Sequence, residues 1–167
     1  MSKNTRFLTH AAVIAALYAV LTHLQNVLLP GSTTWAIQMR LSEALCVLSF
    51  FTPAAIPGLT VGCLVFNITY AAALPLDFLV GSLATLLAAG GMWLTRRVTV
   101  KGYPLVGMAM PALFNALLVG WELTVYIGGG FFLNALYVAL GELAVLLTFG
   151  TVLFYAVKKR HLDTTVF

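Results

Sequence analysis

Charge is what this sequence has least of. Of its 167 residues only 8% are Asp, Glu, Lys or Arg, against 61% hydrophobic, whereas a soluble domain carries about a quarter charged residues. So few ions cannot cover a water-facing surface, which excludes a soluble globular protein. A mean hydropathy of +0.99, with apolar stretches of helical length and no strand-like alternation, predicts an all-α integral membrane protein. Other absences narrow the function. There is no G-x-x-x-x-G-K-[ST] phosphate loop, no H-E-x-x-H and no His/Cys metal spacing; His10, His23 and His161 fall near span ends or in the tail. The chain is therefore expected to hold no cofactor or metal, and if its activity is driven by ATP, another chain hydrolyses it. No nucleophile and base stand at helical spacing, which disfavours an intramembrane enzyme. The two cysteines, Cys46 and Cys63, lie inside apolar segments without neighbouring ligands and are expected to be inert buried thiols.

The charges that are present have a pattern. Lys3 and Arg6 precede the first apolar run, Arg96, Arg97 and Lys101 share one central loop, and Lys158, Lys159 and Arg160 follow the last run. Clusters between apolar runs read as membrane topology rather than as a nucleic-acid surface, despite the net charge of +4. The positive-inside rule puts all three in the cytoplasm, so both termini are cytoplasmic and the number of spans is even. The N-terminal run is too long for a signal peptide and is expected to remain as the first span.

Six helices are expected in one transmembrane domain over 1–167, at approximately 5–29, 40–51, 53–73, 76–95, 103–127 and 131–157. The first ends at Pro30-Gly31 and carries Ala11, Ala12, Ala15, Ala16 and Ala19, whose small-xxx-small spacing lets another helix approach closely in lipid. The loop after it contains Trp35, suited to an interface or to a lid. The second helix is too short to cross a bilayer at about 1.5 Å per residue, so this region is expected to be a half-span or re-entrant, with irregular backbone beside a cavity. Thr52 is expected to cap the next helix, Asp77 to cap the fourth or to touch a ligand, and the small residues from Gly81 to Gly91 to form a packing face.

Arg40 is the one basic residue outside the cytoplasmic clusters, and Glu43 stands three residues on, on the same helix face. Asn115 and Glu122 share a face of the fifth helix; Asn134, Val138 and Glu142 form a stripe on the sixth. With Asn67, these polar groups gather in the outer half, Glu122 and Asn134 roughly 6 to 10 Å from the surface and Glu142 roughly 18 Å. Structural interhelix bonds account for a single buried asparagine. Three buried carboxylates (Glu43, Glu122 and Glu142) against one arginine call for a partner that is cationic or rich in N–H donors. A purine-like ring fits: a carboxylate accepts from two adjacent N–H groups, an amide reads another edge, and Trp121, Tyr137 or Trp35 stacks on the face. A proton relay uses the same acids.

Together the segments Arg40-Leu41-Ser42-Glu43-Ala44-Leu45, Phe51-Thr52-Pro53-Ala54-Ala55-Ile56-Pro57-Gly58-Leu59, Gly81-Ser82-Leu83-Ala84-Thr85-Leu86-Leu87, Asn115 through Leu123 and Asn134 through Glu142 resemble the QueT family. These are small substrate-capture (S) components of energy-coupling factor (ECF) transporters for queuosine precursors. The resemblance implies a six-helix S component that binds a 7-deazaguanine such as preQ1 or queuine. It implies docking, through an alanine-xxx-alanine face of the first helix, on a transmembrane coupling protein driven by two ATPase subunits that use the ATP, and toppling in the bilayer to deliver cargo. The acid surplus agrees with that ligand, and the expected site has Arg40 with Glu43 as an ion pair closing it, Glu122 and Glu142 as readers of the ring or amine, Asn115 and Asn134 as amide partners, and Asn67, Trp121 and Tyr137 as further binding residues. An S component for another vitamin and a stand-alone proton-coupled carrier are the alternatives.

Overall fold

A computed structural model describes residues 2–32, 39–70 and 73–160, and its named elements are all helical. Helix α1 spans Lys3–Leu28 and starts at Ser2, whose hydroxyl accepts from the Thr5 amide. After the loop, Leu41–Phe50 winds as a 3-10 helix, followed by α2 (Ala55–Thr69) and α3 (Asp77–Thr95). The fifth unit is α4 (Leu105–Met108) and α5 (Met110–Tyr126), broken where Pro111 removes a backbone donor. The sixth is α6 (Phe131–Val145), a π turn at Leu146–Gly150, and α7 (Thr151–Lys159).

Four helices, Lys3–Leu28, Asp77–Thr95, Leu105–Tyr126 and Phe131–Lys159, are long and apolar enough to cross a membrane. The other two, Leu41–Phe50 and Ala55–Thr69, are shorter. This is a multi-pass membrane protein, and its solvation is inverted accordingly. Leu8, Leu24, Val27, Leu94, Phe132 and Val152 are each at least half exposed, while Arg40, Glu43, Asp77, Glu122 and Glu142 are buried. Only a lipid surround makes that distribution favourable.

The short second helix solves its length problem by over-winding. Ten residues of α-helix rise about 15 Å, but at about 2 Å per residue a 3-10 helix stretches them to about 20 Å. Eight of its ten residues are buried, so it runs through the interior. Its three-residue period stacks Arg40, Glu43, Cys46 and Ser49 in one column and Ala44, Val47 and Phe50 in another. The π turn packs against the second column, where a Cβ on Gly150 would lie 3.2 Å from Val47 Cγ2. At the end carrying the basic clusters, Phe50, Phe51, Tyr103, Phe154 and Tyr155 form an aromatic layer, and Lys158 sits 4.6 Å from the Phe154 ring centre.

Two close crossings fix the frame. A Cβ at Gly58 would lie 2.7 Å from the Ala11 carbonyl oxygen, and one at Gly62 would lie 2.7 Å from both the Ala15 carbonyl oxygen and Tyr18 Cβ. A Cβ at Gly120 would lie 2.8 Å from Ala135 Cα. Thus part of the alanine pattern of α1 is used within the chain: Ala11 and Ala15 meet α2, Ala19 is buried, and Ala12 and Ala16 remain exposed. Of the expected local features, Thr52 accepts the Ala54 amide at 3.3 Å, but α2 begins at Ala55 with Ala54 before it, and it ends at Thr69 rather than near 73. The small-residue face of α3 is real at Gly81 and Gly91, which face Asn67 and Met110, while Gly90 has nothing within 4 Å.

Candidate functional site

The site is built around the 3-10 column. Its first member, Arg40, is buried and lies with its guanidinium 5.7 Å from the Phe66 ring centre on α2. Phe66 is braced by the edge of His23 at 5.0 Å and by a stacked Tyr70 at 5.1 Å, and His23 also bonds Thr69 Oγ1 at 2.9 Å. On the opposite side, α3 has glycine at 81, where any Cβ would stand 2.8 Å from Asn67 Nδ2 and 3.9 Å from an Arg40 nitrogen. Gly81 is what admits both side chains to the centre of the bundle.

Glu43 is held by α1 rather than by Arg40. Tyr18 donates its hydroxyl to Glu43 Oε1, and Cys46 Sγ donates to Oε2 at 3.1 Å. The Arg40–Glu43 ion pair expected from their spacing is therefore not what engages either Glu43 oxygen. The reason is geometric, since the 3-10 period puts Glu43 directly below Arg40, beside the Tyr18 hydroxyl that reaches across from α1.

One turn and two turns along α1, Thr22 and Gln25 continue this contact. The Thr22 hydroxyl lies 2.7 Å from both the Tyr18 carbonyl oxygen and Ser42 Oγ. Gln25 donates to Ser32 Oγ at 2.9 Å and to the Met39 carbonyl, and accepts from the Leu41 amide at 2.7 Å, so it clamps the entrance of the 3-10 helix. Replacing Tyr18 by phenylalanine removes the donor on Glu43 and should destabilise the protein by about 1–3 kcal/mol. Thermal unfolding in detergent checks this; a variant as stable as the parent would show that Glu43 does not depend on Tyr18.

From α3, Asp77 is not the expected cap: Leu76 holds the N-cap position without a side-chain bond, and Asp77 instead uses one oxygen to accept the Leu74 amide of the preceding turn at 3.1 Å, while its carbonyl accepts from Asn67 Nδ2 at 2.8 Å. Its second oxygen, Oδ1, is buried and meets no donor among the described residues, and the Asp77 side chain lies within hydrogen-bonding reach of the Glu122 carboxyl. Asp77 and Arg40 both lie near enough to act on the charge of Glu122, and Glu43 and Arg40 on that of Glu142. The structure thus brings Arg40, Glu43, Asn67, Asp77, Glu122 and Glu142 into one buried group drawn from the 3-10 helix, α2, α3, α5 and α6. For Asp77, expected either to cap α3 or to touch a ligand, membership of this group favours the second role.

Most of this group is underbonded. Among the described residues Arg40 Nε, Asn67 Oδ1, Asn115 Nδ2 and Oε2 of Glu142 have no hydrogen-bond partner, and Asp77 Oδ1 and both oxygens of Glu122 meet no donor of the fold, the Asp77 and Glu122 carboxyls lying within hydrogen-bonding reach of each other. A buried polar atom left unsatisfied costs about 1–3 kcal/mol, and more when it is charged. These atoms include donors and acceptors, so a guest with both kinds of edge is complementary to them, with the acceptors in excess.

Two expected residues are placed differently. Asn134 donates to Thr124 Oγ1 and to the Gly128 carbonyl, each at 3.0 Å, and so ties the α5–α6 turn. Trp121 is 48% exposed on the outside of α5, since one residue along a helix from Glu122 turns it about 100° away. Tyr137 is partly buried on α6. Trp35 lies outside the described residues.

Near Arg40, a cleft of about 350 Å³ opens between the end of α1 and the start of the 3-10 helix, lined by Gln25, Leu28, Leu29, Pro30, Ser32, Met39 and Leu41. Its walls are almost wholly apolar, and none of the buried charged residues lines it. Of the groups that point to function, Tyr18, Thr22 and Gln25 were legible as a polar stripe at intervals of four and three along α1, a signal that the alanines of the same helix obscure.

No curated protein and no solved structure matches the chain. The family model described as QueT transporter matches residues 8–159, which takes in every element of the buried group. The match and the site together place the chain, and it belongs to the QueT transporter family.

Proposed function

We propose that this protein is the substrate-capture subunit of an energy-coupling factor transporter and that its guest is a cationic 7-deazaguanine, preQ1 or queuine. The observation that carries the reading is the set of buried atoms on Arg40, Asp77, Asn115, Glu122 and Glu142 that the described residues leave without a complementary partner, the Asp77 and Glu122 carboxyls facing each other. A guanine-type edge offers adjacent N–H donors to a carboxylate, and its carbonyl offers an acceptor to Arg40 or Asn115. A protonated amine on the same guest meets the remaining acids. Glu122 and Glu142 read the ring or the amine, Arg40 and Asn115 the acceptor edge, and Asn67 and Asp77 hold the wall. Glu43 positions the column beneath Arg40.

In this reading both termini are cytoplasmic, the site faces outward in the cell membrane, and ATP is hydrolysed by two partner ATPases while this chain holds no cofactor. A transmembrane coupling protein docks on α1. The alanines left open for it are Ala12 and Ala16, because Ala11 and Ala15 already meet α2. Native mass spectrometry of the protein purified from its own host should show a bound deazapurine; a protein carrying a different vitamin would redirect the substrate and keep the role. Replacing Arg40 by alanine should weaken capture at least tenfold without moving the protein from the membrane, as read by ligand binding and by fractionation. Unaltered affinity would place Arg40 outside the site.

A further inference from the structure

The four buried carboxyls form two pairs that share Arg40. Glu122 on α5 has Asp77 of α3 and Arg40 as its charged neighbours, whereas Glu142 on α6 has Glu43 of the 3-10 helix and Arg40. Packing holds the first pair together. Gly81 stands one turn after Asp77 on α3, and a Cβ there would lie 2.8 Å from Asn67 Nδ2 and 3.9 Å from an Arg40 nitrogen. The same Asn67 nitrogen donates to the Asp77 carbonyl at 2.8 Å. Further along α3, Ala84 packs with Val119 and Leu123 of α5, which neighbour Glu122 on that helix.

The pairs differ in what the fold has already engaged. Tyr18 and Cys46 occupy both oxygens of Glu43, so the second pair offers a guest only Glu142, whose Oε2 has no partner among the described residues. In the first pair, Asp77 Oδ1 and both oxygens of Glu122 meet no donor among the described residues, and the two carboxyls lie within hydrogen-bonding reach of each other. Three acceptors on two facing acids match a primary ammonium, a single cation that carries three N–H donors. A guanine-type edge suits them less well, because its in-plane N–H groups are met by one carboxylate and leave the other acid uncompensated. A divalent metal also suits them less well: calcium takes about six to eight oxygens, and the Arg40 guanidinium opposes a double charge.

We infer, on the reading proposed above, that Asp77 and Glu122 form a subsite for a primary ammonium, while Glu142 takes the N–H edge of the ring and Arg40 the ring carbonyl. The order of groups on the guest agrees. In a 7-deazaguanine with an aminomethyl arm the ring carbonyl lies between the N–H edge and the arm, so one flank of the molecule presents donors, an acceptor and a cation in turn. The protein presents an acid, an arginine and an acid pair. Asp77 therefore determines specificity for the charged arm together with Glu122, and Glu142 does not.

The test is calorimetry of the full chain with the aminomethyl and nitrile forms of the ring, in the parent and in single variants. The parent should prefer the aminomethyl form by about tenfold. Asp77→Asn, which keeps an oxygen for the Leu74 amide, and Glu122→Gln should each bring that preference below about threefold. Glu142→Gln should weaken both ligands together and preserve it. A preference that survives Asp77→Asn and Glu122→Gln, or one that collapses in Glu142→Gln, would overturn the inference. Methylammonium chloride tests the subsite without the ring. At saturation it should raise the unfolding temperature of the parent by about 3 °C and that of Glu122→Gln by much less. Tetramethylammonium, which has no N–H, should move neither. Equal protection by methylammonium, tetramethylammonium and sodium chlorides, or none from any of them, would also overturn the inference. Protection by methylammonium alone of a protein that binds neither deazaguanine would keep the ammonium subsite and overturn the deazaguanine reading instead.

Discussion

Replacing Glu122 by glutamine should weaken binding of the deazaguanine at least tenfold while the ligand-free protein unfolds no earlier than the parent. The two effects run in opposite directions for one physical reason. Glu122 is fully buried, neither of its oxygens meets a donor of the fold among the described residues, and its near neighbour is the like-charged carboxyl of Asp77. The group is therefore a burden to the empty fold, and an amide of the same shape is less costly to bury than an ion. Toward a guest with adjacent N–H groups, however, the carboxylate offers two charge-assisted acceptors and glutamine only one neutral one. A factor of ten corresponds to about 1.4 kcal/mol, a modest claim for such a bond. Calorimetry gives the affinity and thermal unfolding gives the stability. Binding that survives unchanged removes Glu122 from the site; a large fall in stability would show that its oxygens are already engaged in holding the fold.

The second large effect is steric. Gly62→Ala should destabilise the protein severely, by about 3 kcal/mol or more, and should cost ligand binding as well. The added methyl would stand 2.7 Å from the Ala15 carbonyl oxygen and 2.7 Å from Tyr18 Cβ. The first neighbour is backbone and the second is the base of a buried side chain, so neither yields by rotating. Relief requires α1 to move away from α2, and that carries Tyr18 off Glu43 and loosens the 3-10 helix. Gly90→Ala is the internal comparison. It lies within α3 with nothing within 4 Å of the new methyl, and there the usual preference of helices for alanine should raise stability by about 0.5–1 kcal/mol. Unfolding temperatures of the two variants therefore bracket the parent. A Gly62→Ala protein as stable as Gly90→Ala would mean that the α1–α2 crossing is looser than described.

These results depend on features of different legibility. The membrane class, the six helical units and most of their bounds follow from apolar length and from glycine and proline, because lipid leaves the backbone few alternatives to a helix. The members of the buried group were visible for a related reason: an ion in an apolar run must have a purpose, which singled out Arg40, Glu43, Glu122 and Glu142. The winding of Leu41–Phe50 was not visible, since hydrophobic pattern over ten residues does not separate a period of 3.0 from one of 3.6. That distinction decided whom Glu43 meets. Asp77 had a sufficient local explanation as a cap, and its second oxygen became informative only once α5 was set beside it. Trp121 and Asn134 show the converse. Both carry suitable chemistry, but side-chain direction places one toward lipid and commits the other to a turn.

The central claim is that buried acids persist in this bundle because they receive a positively charged, hydrogen-donating guest. Calorimetric titration of the purified full chain with two ligands addresses it directly: a 7-deazaguanine bearing an aminomethyl group, and the same ring bearing a nitrile in its place. The two share the guanine-type edge and differ in the cation. The aminomethyl compound should bind at least tenfold more tightly than the nitrile. Equal affinities, or no heat from either, would contradict the account.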